Sequence, residues 1–150
     1  MRHDFSQWAK WIDRNGLERI QFPGVYAIAR SHKDISGTAF SWRRDVIYVG
    51  MTNAKGGLKS RLQQFDITIR RGGPHGGAQR VRYKYRNYMK LVPLLYVSVC
   101  PRQCDVLSNK SADLRVMGEV AKQEYYCLAQ FAKTFGGLPE FNDKKRSRKK

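Results

Sequence analysis

The sequence predicts a single α/β domain of the α+β type, in which a small three-stranded antiparallel sheet is flanked by helices. Two short apolar runs, residues 25–30 and 46–49, are joined by a polar loop with no room for a crossover helix, so these strands should pair antiparallel. A third run, residues 91–99, is almost continuously apolar, which is typical of a strand buried on both faces. Apolar side chains at helical spacing predict helices over residues 58–70 and 111–135.

The first residues of the chain are predicted to form a further helix. Phe5, Trp8 and Ile12 fall at helical spacing within residues 4–15. This spacing predicts a helical extension, within residues 1–20, that packs its aromatic side chains on the core.

Two unusual stretches lie between the predicted helix at 58–70 and the third strand. Residues 70–77 contain four glycines and a proline, which predicts a flexible basic loop. Residues 80–86 alternate basic with apolar side chains, which fits a strand with one cationic face. Tyr85 and Met89 also fit a helical period, so both structures remain open and the helix is favoured.

The charge of the chain indicates a polyanionic partner. Lys and Arg number 29 against 12 Asp and Glu, which gives a formal net charge of +17. A positive field of this strength attracts polyanions, of which nucleic acid is the first candidate and an anionic membrane the second. No run has the length of a membrane span and the start of the chain does not resemble a signal peptide, so we expect no membrane partner. We expect an intracellular protein, cytoplasmic and nucleoid-associated in a bacterium or nuclear in a eukaryote.

The chain is long enough for one domain. We predict that this domain spans residues 1–142, because residues 143–150 are dominated by Lys and Arg and predict a disordered basic tail. Three scattered cysteines predict reduced thiols, not a disulfide framework or a zinc site.

Several polar residues lie among apolar residues where a simple core would not place them. Glu124 falls in the middle of the apolar stripe of the last helix, and a buried carboxylate is costly unless it is paired, protonated or bound to a metal. Glu119 lies off the centre of that stripe and is the alternative metal ligand. Tyr26, Tyr48 and Arg61 complete a set that could hydrolyse a phosphodiester without a histidine, because an arginine and a metal can neutralise phosphate charge and a phenol can position water.

Gly24-Val25-Tyr26 and Tyr48-Val49-Gly50 resemble the two halves of the signature of the GIY-YIG nuclease superfamily. The downstream order is also similar: a helical arginine in Leu58-Lys59-Ser60-Arg61-Leu62, a long helix with Ala121-Lys122-Gln123-Glu124, and then Pro139-Glu140-Phe141-Asn142. The resemblance covers residues 22–142. It implies an endonuclease that hydrolyses DNA phosphodiester bonds with one divalent metal ion, Mg²⁺ or Mn²⁺.

The resemblance also implies a role for each site residue. Tyr26 would be the general base or the phenol that positions water, and Tyr48 would form a hydrogen bond in the same site. Arg61 would clamp the scissile phosphate and Glu124 would bind the metal. Asn142 would tie the late loop to the site.

The chain departs from the family pattern in three places, one of which is the long stretch between Glu124 and Asn142. Many members carry a histidine one turn beyond the arginine, where this chain has Phe65, and His75 is either its replacement or a mobile surface residue. Members often carry a lysine after the second motif, where this chain has Met51, and Lys55 or Lys59 could supply that cation.

The substrate is predicted to be double-stranded or branched DNA, and a homodimer is compatible with the sequence. The predicted phosphate-binding residues are Lys55, Lys59, Arg70, Arg71, Arg80, Arg82, Lys84 and Arg86. Two other functions stay open at this point. The chain could be a catalytically inactive nucleic-acid-binding module, or a basic structural protein of a nucleoprotein assembly.

Overall fold

The computed structural model describes residues 4–148, and its centre is a four-stranded antiparallel sheet. The strands are β1 (Ala9–Lys10), β2 (Gly24–Arg30), β3 (Val46–Thr52) and β4 (Leu95–Pro101). They lie in the order β1-β4-β2-β3, and all three pairings are antiparallel. The two neighbouring strands that carry the tyrosines, β2 and β3, pair as predicted.

The predicted three-stranded sheet is wrong, and so is the predicted N-terminal helix. Ala9–Lys10 pairs with Val97 and Tyr96 as a fourth strand, and a 3-10 helix (Trp11–Gly16) follows it. Backbone hydrogen bonds to distant residues replace those of a helix in this segment. For example, the amide of Ser6 donates to the carbonyl of Val99 over 2.8 Å.

Four α-helices complete the fold. They are α1 (Gly57–Arg71), α2 (Gly76–Lys84), α3 (Tyr88–Leu91) and α4 (Ser111–Phe135). Two further 3-10 helices cover Val92–Leu94 and Glu140–Asn142. The predictions of α1 and α4 are confirmed, with the bounds of α4 matched to the residue.

The stretch between α1 and β4 differs from its prediction. Residues 80–84 are helical, as favoured, but α2 already begins inside the glycine-rich stretch that predicted a loop. β4 begins at Leu95 because residues 91–94 are helical, and its residues 95–100 are buried, as expected of a strand covered on both faces.

The sheet separates two apolar cores. On one face Tyr26 and Ile28 of β2 pack with α1 and α2, and on the other face the alternate residues Val25 and Ala27 pack with Val120 and its neighbours on α4. Because β2 is buried on both faces, every side chain in its middle is held in a fixed orientation.

None of the helices within residues 4–148 combines the length and the apolar character that a membrane crossing requires. At the end of the described chain, the amides of Arg146 and Ser147 donate to the carbonyl of Asp143 and form a turn. The predicted disorder of residues 143–150 stays a prediction, and residues 149–150 lie outside the described part.

Candidate active site

Tyr26 and Tyr48 project from the same face of the sheet. In the β2–β3 register Tyr26 lies opposite Gly50 and Ile28 lies opposite Tyr48, and residues that lie opposite each other share a face. The two phenol rings are 6.1 Å apart between centroids. Tyr26 is fully buried and Tyr48 is partly exposed, so the pair extends from the core toward the surface.

Two glycines make room for the phenols. A Cβ atom at Gly50 would lie 2.5 Å from the Tyr26 hydroxyl, and a Cβ atom at Gly77 would collide with the ring of Tyr48. Gly50 belongs to β3 and Gly77 to the first turn of α2. The glycines of both segments therefore set the positions of the site side chains.

His75 joins the two tyrosines, and the prediction of a mobile surface residue is wrong. It is 1% exposed, and its Nε2 lies 2.9 Å from the Tyr26 hydroxyl. Its Nδ1 accepts a hydrogen bond from the amide of Ala78 over 3.2 Å, which caps α2. The ring meets Phe65 edge-on with centroids 5.0 Å apart. Burial, followed by the charge of Arg61, lowers the pKa of His75 to about 4.

Arg61 on α1 is half-buried beside the phenols. The positive charge of Arg61 lowers the pKa of Tyr26, of Tyr48 and of Glu124. At each of these groups it opposes the larger effect of burial, which raises the pKa. Its Nη1 donates to Gln64 over 3.1 Å. Its Nε is buried and has no hydrogen-bond partner among residues 4–148, so one guanidinium donor has no protein acceptor.

Glu124 on α4 is half-buried and also faces this site. Burial raises the pKa of its carboxyl group and the charge of Arg61 lowers it. Its own charge raises the pKa of both Tyr26 and Tyr48. The alternative ligand, Glu119, is exposed and forms an ion pair with Arg102.

The apolar stripe of α4 differs from its prediction. Its buried residues are Val120, Gln123, Cys127 and Phe131, so Glu124 lies at the edge of the buried face and not in its middle. This edge position leaves the carboxylate accessible from the surface.

Both phenols have raised pKa values. For Tyr26 the largest cause is burial and the next is Tyr48, which together place the pKa well above its ordinary value of 10.0. For Tyr48 burial again dominates, followed by the charge of Glu124. Both side chains are therefore neutral phenols near neutral pH, and proton abstraction by either would need more positive charge than Arg61 alone provides.

Asn142 lies beside β3 and not among the charged groups. Its Oδ1 accepts from the amide of Val49 over 2.9 Å and its Nδ2 donates to the Val49 carbonyl over 2.8 Å. The side chain therefore continues the hydrogen bonding of the sheet and fixes the 3-10 helix at residues 140–142 against β3.

The predicted phosphate contact of Arg80 does not fit its position. Arg80 is buried, and its Nε and Nη2 both donate to the carbonyl of Phe141, over 3.0 and 2.8 Å. Lys84 is exposed and forms an ion pair with Glu140. The other predicted phosphate-binding residues are exposed: Lys55, Lys59, Arg70, Arg71, Arg82 and Arg86.

The donors of the site suit a hard cation that keeps most of its water. Within the described chain no cluster of three or more His, Cys, Asp or Glu residues is placed to hold a metal ion. Mg²⁺ is commonly bound by one or two carboxylates together with water and substrate phosphate oxygens. A single half-buried Glu124 beside a cationic surface fits this mode of binding and does not fit a zinc site, which needs three or four protein ligands.

No protein-family model, no curated protein and no solved structure matches the chain.

Proposed function

We propose that the chain is an endonuclease of the GIY-YIG type that hydrolyses phosphodiester bonds in DNA with one divalent metal ion, Mg²⁺ or Mn²⁺. Four polar side chains from four separate elements converge at one place, and this convergence is the main support. Tyr48, Arg61 and Glu124 all act on the ionisation of the buried Tyr26. A core that served only stability would have little reason to collect these groups around one phenol.

Arg61 is the group that would hold the scissile phosphate. A buried Nε without a protein acceptor is a donor that gains a hydrogen bond when a phosphate oxygen arrives. Hydrolysis adds negative charge to the phosphorus oxygens, and a guanidinium fixed in place beforehand stabilises that charge.

Glu124 would hold the divalent ion. The ion, when bound, supplies positive charge to the phosphate and the leaving oxygen. The Arg61 charge favours the ionised carboxylate that a metal needs, because it opposes the effect of burial on the pKa of Glu124.

Tyr26 would position the attacking water. Its hydroxyl is fixed by Gly50, which leaves room for the ring, and by the hydrogen bond to His75. Tyr48 lies next to it at the more exposed end of the pair. Because the pKa of Tyr26 is raised in the absence of substrate, it acts first as a neutral hydrogen-bonding group, and it would form the phenolate that takes the proton of the water only when the bound metal ion adds positive charge.

The surface around the site suits a nucleic acid. Seven of the eight predicted phosphate-binding residues are exposed, and the whole chain carries a formal net charge of +17. A field of this sign and size attracts a polyanion and makes its binding strongly dependent on salt. Duplex or branched DNA is the proposed substrate.

A cleavage assay tests the proposal. Purified chain is incubated with duplex, branched and single-stranded DNA and with RNA, in Mg²⁺, in Mn²⁺ and in chelator. We expect DNA scission that chelator abolishes and that Arg61→Ala reduces on the order of 100-fold. Arg115→Ala, which removes an exposed arginine outside the predicted phosphate-binding set, is the matched control and should stay within a few-fold of the wild type.

Two results would contradict the proposal. Salt-sensitive DNA binding without scission in either metal would favour the inactive binding module. Scission that is equal in the wild type and in Arg61→Ala would indicate a contaminating nuclease.

A further inference from the structure

Both ring nitrogens of His75 have partners in the core. Nδ1 lies 3.2 Å from the backbone amide of Ala78, and Nε2 lies 2.9 Å from the Tyr26 hydroxyl. The ring is 1% exposed and is enclosed by the side chains of Phe65 and Tyr48.

The backbone partner fixes the tautomer of the imidazole. A backbone amide can only donate, so Nδ1 must accept and cannot carry a proton. A neutral imidazole carries one N–H proton, which must then be on Nε2. Nε2–H therefore donates to the oxygen of Tyr26, and the hydroxyl proton of Tyr26 must be directed to another acceptor.

The remaining groups around Tyr26 limit where that proton can go. The guanidinium of Arg61 has no acceptor atom, whereas the carboxylate of Glu124, the oxygen of Tyr48, water and a phosphate oxygen can all accept. Tyr26 therefore receives a hydrogen bond from His75, and its own proton is left to donate to one of these acceptors.

We propose that His75 is a positioning residue that donates a permanent hydrogen bond to Tyr26, stabilises the phenolate form of Tyr26 and cannot act as its base. The catalytic consequence rests on the proposed function, whereas the hydrogen bond and the tautomer do not. The same ring also caps α2, so the first turn of that helix and the phenol are held by one side chain.

Nitrogen NMR of the histidine rings tests the tautomer without any reference to activity. The His75 signals are assigned by their loss in His75→Asn. We expect an Nε2–H ring with an unprotonated Nδ1, and we expect Tyr26→Phe to shift the Nε2 signal without changing the tautomer. An Nδ1–H ring would overturn the proposal, because Nε2 could then take the proton of Tyr26.

Two substitutions separate the cap from the phenol contact. The amide oxygen of His75→Asn can take the place of Nδ1 and keep the cap on α2, but the side chain is too short to reach Tyr26. The longer His75→Gln can reach Tyr26 with its amide group but loses the cap geometry. We expect His75→Asn to keep most of the thermal stability and lose about tenfold in cleavage rate. We expect His75→Gln to lose thermal stability and keep most of the cleavage rate.

The pH profile gives the readout that a purely structural role would not move. Without the donor, the phenolate of Tyr26 forms at higher pH, so the rising limb of the rate profile should move to more alkaline pH in His75→Asn. An unmoved limb, or rates that simply follow thermal stability in both variants, would overturn the catalytic part. A wild-type chain that cleaves nothing would end the proposed function and leave the NMR result to decide the hydrogen bond.

Discussion

Gly50 lies directly opposite Tyr26 in the β2–β3 pair, and the Tyr26 side chain occupies the space that any side chain at position 50 would need. The hydroxyl of Tyr26 is only 2.5 Å from where a Cβ atom at Gly50 would be. The phenol and the glycine therefore depend on each other, and the glycine determines where the hydroxyl lies.

Gly50→Ala should force the Tyr26 ring out of place. Overpacking of this kind costs about 1–3 kcal/mol in the free energy of unfolding, and we expect the cleavage rate to fall by about tenfold or more because Tyr26, the phenol proposed to position water, would be misplaced. Urea unfolding and a plasmid assay measure the two effects.

Gly118→Ala is the matched control for this substitution. Gly118 lies on the exposed side of α4, and, apart from its chain neighbours and the adjoining helix backbone, no atom of the described chain lies within 4 Å of its added Cβ. It should gain about 0.5–1 kcal/mol from reduced chain entropy and leave cleavage unchanged. Wild-type stability and rate in Gly50→Ala would show that the ring does not occupy this position.

Asn142→Ala should act on stability. The substitution removes two hydrogen bonds to Val49 and leaves its amide and carbonyl without these partners, at a cost of about 1–3 kcal/mol. We expect a lower urea midpoint with metal dependence of cleavage unchanged. Asn142→Asp should cost more, because a carboxylate cannot donate to the Val49 carbonyl. Full stability with abolished cleavage would instead place Asn142 in the chemistry.

His75 should make the fold sensitive to acid. Its pKa is lowered from 6.5 to about 4, so between these values the unfolded chain binds a proton that the folded chain does not. The stabilisation is fully present above about pH 6.5 and is lost as the pH falls toward about 4, by about 3 kcal/mol in total. Urea unfolding at several pH values measures the slope.

His75→Asn should flatten the slope in this window, since asparagine does not titrate. His32→Asn, at an exposed position, is the control and should keep the wild-type slope. An equal slope in the wild type and in His75→Asn would show that the imidazole titrates alike in the folded and unfolded chains.

The elements that were predicted correctly are those whose sequence pattern involves only residues close together in the chain. The helical spacing of apolar residues in α1 and α4, and the apolar β-branched runs of β2 and β3, are visible without any distant partner. Strand β1 cannot be recognised from its own sequence, because it is two residues long and its pairing partners lie in β4, far along the chain.

The candidate site divides in the same way. The tyrosines, Arg61 and Glu124 were selected because polar groups interrupt apolar faces, and the structure brings these four together. His75 was misjudged because its glycine-rich neighbours predict a loop, although Gly77 in fact allows the ring of Tyr48 to pack closely. Arg80 was misjudged because the carbonyl that it binds lies 61 residues away.

The central claim is that Glu124 binds the metal on which hydrolysis depends, and metal-dependent cleavage by two glutamine variants tests it most directly. Glu124→Gln removes the charge beside Tyr26 and Arg61, whereas Glu119→Gln removes a charge that pairs with Arg102 at the surface. In Mg²⁺ we expect Glu124→Gln to lose on the order of 100-fold or more of the cleavage rate, and Glu119→Gln to stay within a few-fold of the wild type. Cleavage by Glu124→Gln at the wild-type rate, with the same dependence on metal, would contradict the account.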